Sequence, residues 1–411
     1  MRSTIARLAT LARPAPERRP PPAADRQDDD DAPAEHPAAP PGAGRRGPLP
    51  DYGADVAAVT ERRFAGTAIA ERPPVRRRPA PEHAVPGQVG GVAVRLEAGA
   101  TLGAQLGLVE AALRSAVTDV DEGIAGTFDY VLARDRSRLR ARLVLLGAAA
   151  VGAGASPPPA VITAAAAVEL LHLAQRHHDT RHHDRRQTGE ADVLVGDHLL
   201  ARAVQLAIAV DASAGEAIGR CVVARVRGQL LDDRERYCID RLRTAYVESC
   251  RARTAVLTGV AAALGARLAG GSGAEAGEHV DALQRYGEQL GFALQLTDDL
   301  RDVVTDAADT GNDLRTGIYT LPTLVALHEA GELRAVLGRP LDRAALAHAT
   351  QVVRRSGGVA VALSAIHRHV TEATAWLGAL PTPAGLDELV HGVGHRAWHL
   401  AADQPVTDLS P

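Results

Sequence analysis

Lysine is absent from this chain of 411 residues, so all 46 of its basic side chains are arginines. That bias is the mark of a GC-rich coding sequence, and it makes arginine in place of an expected lysine weak evidence of lost function. Cysteine is scarce as well: Cys221, Cys238 and Cys250 are too few and too irregularly spaced for a disulfide framework or a zinc site, and they suit a reducing cytoplasm. Aromatic residues make up 3% and the net charge is −4, which leaves few rings to stack on bases and no positive field to hold a phosphate backbone. Nucleic acid is therefore excluded as a partner, and a small molecule or another protein is expected. The longest apolar run, LVLLGAAAVGAGA, falls short of the roughly 18 residues needed to cross a bilayer, so no transmembrane segment is expected.

Proline is plentiful but confined. Residues 1–100 hold 16 of the 25, interspersed with charge and almost without large apolar groups. Such a segment cannot bury enough surface to offset the entropy of ordering, so residues 1–100 are expected to be a disordered tail rich in Pro, Arg and Asp. Its start, MRSTIARLATLARPAPERR, carries no acid before Glu17, and it reads as a solvated tail rather than a transit peptide. Residues 101–405, rich in Ala, Leu and Val, form one domain with enough apolar side chains for a single large core.

Apolar positions recur at three- and four-residue spacing through 105–134 and 138–152. Pro159 suits the first turn of a helix running through AVITAAAAVELLHLAQRHH. Further helical patterns cover 192–210, 213–231, 239–269, 277–306, 320–330 and 342–355, with two more before 401. No segment alternates at period two, so the expectation is an all-α protein, a large helical bundle.

The densest chemical signal is YGEQLGFALQLTDDLRDVVTDAADTGNDLRTGIYTLP at 286–322. On a helix Asp298 and Asp302 share a face one turn apart, with Asp299 about 100° round from Asp298. Carboxylates gathered in this way repel one another unless a cation sits among them. Hard oxygen ligands suit Mg²⁺, which takes one or two protein carboxylates and completes its shell with water and phosphate oxygens. A bare D-D-x-x-D is usually a solvated acidic face. Here an apolar helix precedes it, Gln295 lies one turn before Asp299, and an ordered G-N-D-L-R-T-G-I-Y-T-L-P follows, so it reads as a diphosphate holder.

Phe292-x-x-Gln295-x-x-Asp298-Asp299-x-x-Asp302, then Gly311-x-Asp313-Leu314 and Thr320-Leu321-Pro322, resembles the second Asp-rich region of the trans-isoprenyl diphosphate synthase (polyprenyl synthetase) family. Other segments fall in that family's order: Glu169-Leu170-Leu171-His172-x-Ala174, Gly196-Asp197-x-Leu199-Leu200-Ala201, Gly228-Gln229-x-x-Asp232, and Tyr246 through Arg253-Thr254-Ala255. The resemblance implies a helical bundle of the isoprenoid synthase type. It also implies a Mg²⁺-dependent prenyltransferase that condenses an allylic prenyl diphosphate with isopentenyl diphosphate, working as a homodimer or as a heterodimer with a related synthase. By the same resemblance, Asp298, Asp299, Gln295, Arg253 and Thr254 are catalytic. Arg138, Arg140, His172, Arg185, Arg186, Gln229 and Asp313 bind substrate, and Asp298, Asp299, Asp302 and Asp179 bind metal.

Two departures from the family pattern stand out. Its first Asp-rich motif is matched by His178-Asp179-Thr180-Arg181-His182-His183-Asp184, where Asp179 alone is in register. Where the family has Gly-Gly-Lys-x-x-Arg-Pro, this chain has Asp135-Arg136-Ser137-Arg138-Leu139-Arg140-Ala141, in which Arg136 and Arg138 would have to supply the missing donors. Such erosion is also what a catalytically weak regulatory subunit of a heteromeric synthase, or a class I terpene synthase-like enzyme, would show. A His-Asp phosphohydrolase of the HD type would need a further histidine upstream. None occurs between His83 and His172, and that reading is set aside.

Overall fold

The computed structural model describes residues 101–117, 128, 129, 131–133, 137–153, 157–183, 190–270, 273–305 and 311–402, with backbone alone for 179–183, 190–192 and 384. The tail expected over 1–100 lies outside the described residues, as do Asp184, Arg185 and Arg186 and the side chain of Asp179. Among the described residues every regular element is helical, and the all-α expectation holds.

The helices are α1 (Leu102–Ser115), α2 (Leu139–Ala148), α3 (Pro159–His183), α4 (Glu190–Val210), α5 (Ala212–Arg234), α6 (Arg243–Cys250), α7 (Val256–Ala269) and α8 (Ala274–Val304). They are followed by α9 (Asn312–Thr316), α10 (Leu321–Glu329), α11 (Gly331–Val336), α12 (Arg343–Arg355), α13 (Gly358–Leu377) and α14 (Ala384–Ala402). A π turn, Arg251–Ala255, joins α6 to α7, with the Val256 N–H reaching back five residues to the Arg251 carbonyl. Turns of this kind widen a helix locally and recur at functional sites.

Helix α8 is the organising element. Leu283, Tyr286, Leu290, Ala293, Leu296, Leu300 and Val303 repeat at three and four residues and are all buried, which turns one stripe of α8 onto α7, α13 and α14. Helix α3 is apolar on every side from Ala164 to Ala174 apart from Glu169 and His172, as befits a helix enclosed by α1, α2 and α4. Buried Glu169 accepts from the Ala141 N–H at 3.0 Å, capping the start of α2.

Two contacts need the absence of a side chain. A Cβ on Gly265 of α7 would sit 1.8 Å from the Val144 carbonyl of α2, and one on Gly147 would sit 2.2 Å from the Ala262 carbonyl, so these helices meet backbone to backbone. A Cβ on Gly291 would lie 2.5 Å from Ala255 Cα, so glycine there lets α8 approach the π turn.

Several boundaries differ from the sequence expectation. The single helix expected over 105–134 ends at Ser115, and Phe128, Val131 and Leu132 then return to the core. The helix expected over 239–269 begins at Arg243 and carries the π turn, which has no signature in apolar periodicity. Helix α4 also corrects the expectation of no membrane-length segment. Val193–Val210 is long and apolar enough to cross a membrane by length and composition alone, and 33% of it is buried inside the bundle. Asp197 and Arg202 interrupt the run and conceal it from a simple scan, while Val195, Leu199, Ala203, Leu206 and Ala207 pack into the bundle core.

Gly265→Ala is expected to destabilise the fold by about 1–3 kcal/mol or more through overpacking, whereas Gly107→Ala, with open space around it in α1, should stabilise by about 0.5–1 kcal/mol. Denaturant midpoints of the two variants provide the check. An unchanged midpoint for Gly265→Ala would mean that α2 and α7 are not in backbone contact.

Candidate active site

The three carboxylates near the end of α8 point to three different environments. Asp299 turns inward and is 4% exposed. The Tyr246 hydroxyl of α6 donates to its Oδ2 at 2.5 Å, and Gln295 Nε2 donates to its Oδ1 at 2.8 Å. The Thr254 hydroxyl, from the π turn, donates to Gln295 Oε1 at 2.6 Å, so one chain of bonds runs Thr254, Gln295, Asp299, Tyr246 and fixes the amide's orientation. Burial pushes the Asp299 carboxyl up to about 6, against the opposing pull of the Tyr246 and Gln295 bonds and of the Arg253 charge.

Asp302 turns toward the following loop. Its Oδ1 accepts from the Asn312 N–H at 3.1 Å and its Oδ2 from the Asp313 N–H at 2.9 Å, while its own carbonyl accepts from Gly311 at 2.9 Å. Gly311, at φ +72°, supplies the left-handed turn that brings those amides round. Burial, followed by the charges of Asp302 and Asp299, raises the half-buried Asp313 carboxyl well above the usual carboxylate range. Asp298 alone of the cluster faces a cavity, and there Arg301 Nη2 lies 2.9 Å from its Oδ1.

Arg253 is held from behind. Asp232, 1% exposed, accepts from Arg241 Nη2 at 2.5 Å and from Arg253 Nη1 at 2.6 Å, while Arg241 also donates to the Tyr319 carbonyl. A buried carboxylate met by two guanidinium groups is compensated, and it fixes Arg253 at the cavity edge.

The cavity has a volume of about 360 Å³ and is lined by Arg140, His172, Gln175, Arg176, Arg225, Arg253, Thr254, Leu257, Gln295, Asp298 and Arg301. A recess of about 470 Å³ shares Arg140, Arg176, Thr254, Gln295, Asp298 and Arg301 with it, and adds Arg142 of α2 and Arg396 of α14. Six residues singled out in the sequence thus come together: Arg140, His172, Arg253, Thr254, Gln295 and Asp298. Asp299 stands behind them, bonded to Gln295.

Others go elsewhere. Arg138 is a correction. At φ +46° it folds inward to 6% exposure, donates to Glu110 at 2.5 Å and to the Leu132 carbonyl, and braces α1 against the start of α2 instead of lining the cavity. Gln229 is half-buried and donates to Asp233 at 3.3 Å, outside the cavity lining. The sequence reading missed Arg176, Arg225 and Arg301. Arg176 was visible one helical turn after His172, and Arg301 three residues after Asp298, had the spacing argument been applied to cations as well as acids.

As to metal, no group of three His, Cys, Asp or Glu side chains converges into a ready cage among the described residues. The donor set fits a Mg²⁺ that takes one or two carboxylates and fills its shell with phosphate oxygens, with Asp298 facing the cavity and Asp302 a turn away.

Residues 121–353 match the polyprenyl synthetase family. The chain is 31% identical over 246 residues to the nonaprenyl diphosphate synthase of Mycobacterium tuberculosis, covering 55% of this chain and 72% of that protein. It is 27% identical over 235 residues to heptaprenyl diphosphate synthase component 2 of Geobacillus stearothermophilus, covering 53% and 72% of the two chains. Among solved structures, the polyprenyl synthase of Caulobacter crescentus complexed with calcium and isoprenyl diphosphate superposes with a TM-score of 0.64 at 25% identity, over 74% of this chain and 96% of that one.

The buried Asp299 sets a pH dependence. With a folded-state value near 6, above the ordinary value near 4, the native state holds this proton more tightly than the unfolded chain. Its contribution to stability is therefore greatest below about pH 4 and is lost as pH rises to about 6. Tyr246→Phe removes a donor that favours the charged form, so the loss should extend to higher pH. Thermal unfolding of both proteins from pH 4 to 8 measures this, and superimposable profiles would refute it.

Proposed function

The chain belongs to the polyprenyl synthetase family, and from that premise we propose that it is a prenyltransferase of isoprenoid biosynthesis, condensing an allylic prenyl diphosphate with isopentenyl diphosphate. The observation that supports this reading is the cavity itself, whose lining includes Asp298, Gln295, Thr254 and Arg253 together with Arg140 and His172.

Each group has work in that reaction. The guanidinium groups of Arg140 and Arg253 offer paired N–H donors to diphosphate oxygens. Arg253, locked by Asp232, stands ready for the charge that grows on the departing diphosphate, and a donor fixed in advance needs no reorganisation at that moment. The Thr254 and Gln295 side chains present neutral oxygen dipoles, held by their mutual bond, which stabilise a neighbouring allylic cation without capturing it as a free carboxylate would. Mg²⁺, which Asp298 would hold at the cavity, would supply the positive charge that weakens the bond to the leaving diphosphate. The calcium that accompanies isoprenyl diphosphate in the Caulobacter complex supports a divalent cation of this kind.

The free thiols of Cys221, Cys238 and Cys250 suit a cytoplasmic location. Assembly is proposed through α4 and α5, whose outer faces expose Val193, Leu194 and Ile208, and Val223, Val226 and Leu230. The partner is a second copy or a related synthase. The latter alternative draws on the Geobacillus relative, which is component 2 of a heptaprenyl diphosphate synthase, and on the departures at His178–His183. Ile208→Asp combined with Val223→Asp should shift the sedimenting species to a monomer, and an unchanged sedimentation coefficient would remove this face from consideration.

Turnover is the test of the main reading. With isopentenyl diphosphate, farnesyl diphosphate and Mg²⁺, mass spectrometry should detect a lengthened diphosphate. Asp298→Ala should abolish nearly all of it, Asp179→Ala should cost less, and Arg140→Ala should weaken substrate binding about 10- to 100-fold. No product from any allylic diphosphate would overturn prenyl transfer by this chain alone and favour the subunit reading.

A further inference from the structure

We propose that His369, buried midway along α13, is a positioning residue that fixes the rotation of α8 and with it the placement of Gln295 and Asp298 at the cavity. Its consequence for turnover rests on the prenyl-transfer reading, whereas its effect on Gln295 does not.

His369 grips α8 at two positions. Its Nδ1 lies 2.6 Å from Oε1 of buried Gln289, and its ring stacks on Phe292 with centroids 4.9 Å apart and planes 15° from parallel. On a regular helix Gln289, Phe292 and Asp299 fall within about 80° of one another, so His369 holds the same side of α8 that carries Asp299 to Tyr246. The two grips are about 10 Å apart along the helix axis, measured from Phe292 to Asp299. Gln295 lies between Asp299 and Asp298 in the angular order, and Asp298 is turned furthest from His369. Rotation of α8 about its axis would therefore move Gln295 off Thr254 and swing Asp298 along the cavity wall.

Stability alone does not account for a polar pair here. Phe292, Leu296, Ile366 and Val370, on either side of the pair along α8 and α13, are all buried and apolar. With Oε1 of Gln289 accepting, Nδ1 carries the proton of the neutral ring, and burial followed by the charge of Arg368 pushes the imidazole down to about 3. Nε2 is then a buried acceptor with no hydrogen-bond partner among the described residues, and leaving it so costs stability. Two apolar side chains of similar shape would avoid that cost. What they would not supply is direction, because hydrophobic contact is non-directional, whereas the bond to Gln289 and the stack on Phe292 each fix an angle.

The double variant Gln289→Leu with His369→Phe, made in the full chain, separates positioning from packing. Replacing both partners by apolar groups should leave the denaturant midpoint equal to wild type or higher. The side-chain amide resonance of Gln295, assigned in ¹⁵N-glutamine-labelled protein with Gln295→Glu, should nevertheless shift or broaden. In the turnover assay kcat should fall about 10- to 100-fold with KM for both diphosphates little changed, the mark of a misplaced group rather than a lost binding contact. His369→Asn, which can set an amide nitrogen where Nδ1 stood, should recover most of that loss. An unmoved Gln295 resonance, an unchanged kcat in an enzyme that turns over, or a double variant that no longer folds would overturn the proposal. If wild type makes no prenyl product, the prenyl-transfer reading falls and the Gln295 resonance alone decides whether His369 positions α8.

Discussion

Everything at the catalytic end of the bundle depends on the burial of Asp299. An ionised carboxylate removed from water is costly unless donors meet it, and here the Tyr246 hydroxyl and the Gln295 amide do so from two different segments. Because Asp299 is turned into the core, its neighbour Asp298, about 100° further round the helix, is turned out toward the cavity. The adjacent pair, alike in sequence, is divided by the helix into a structural acid and a ligand-facing one. Gln295, one turn earlier, is drawn into the same arrangement, and through it Thr254 is held to α8.

The π turn at Arg251–Ala255 makes that arrangement possible. A regular α-helix through 243–269 would set Arg253 and Thr254 about 100° apart without regard to either partner. Widening the helix by one residue changes their phase with respect to α6, so that Tyr246 and Thr254 both address α8 while Arg253 reaches Asp232 of α5. Gly291 completes the fit by allowing close approach of the backbones, with Asp232 anchored in turn by Arg241. The buried charges Asp232 and Asp299 thus tie α5, α6 and α8 to the same five-residue segment.

The helical class and the long α8 were legible in the sequence because they rest on apolar spacing along the chain, and six of the cavity residues were legible through the family resemblance of the motifs that carry them. What spacing along a single helix does not encode was lost. Arg138 looked like a phosphate ligand, since a run of arginines before a helix usually is solvated or functional. Its left-handed backbone sends the side chain to Glu110, a contact 28 residues away. The three aspartates read as one cluster, but the demands of a loop amide pair and of a buried tyrosine draw two of them away. The apolar outer face of α4 was concealed by Asp197 and Arg202, which interrupt the linear run without interrupting the stripe.

The absence of lysine shapes the site's response to pH. Every fixed cation of the cavity is a guanidinium, and arginine does not lose its proton at any pH at which the fold persists. The positive lining therefore stays constant across the range in which Asp299, near 6, changes its charge. Protonating Asp299 weakens its claim as an acceptor for Gln295 Nε2, loosening the chain that holds Thr254, while the arginines around Asp298 keep their charge. The charge of the arginines in the cavity lining and the positioning of the Thr254–Gln295 pair thus rest on groups with different titration behaviour. Acidification to about pH 6 acts on the positioning of that pair and leaves the charge of the guanidinium groups unchanged.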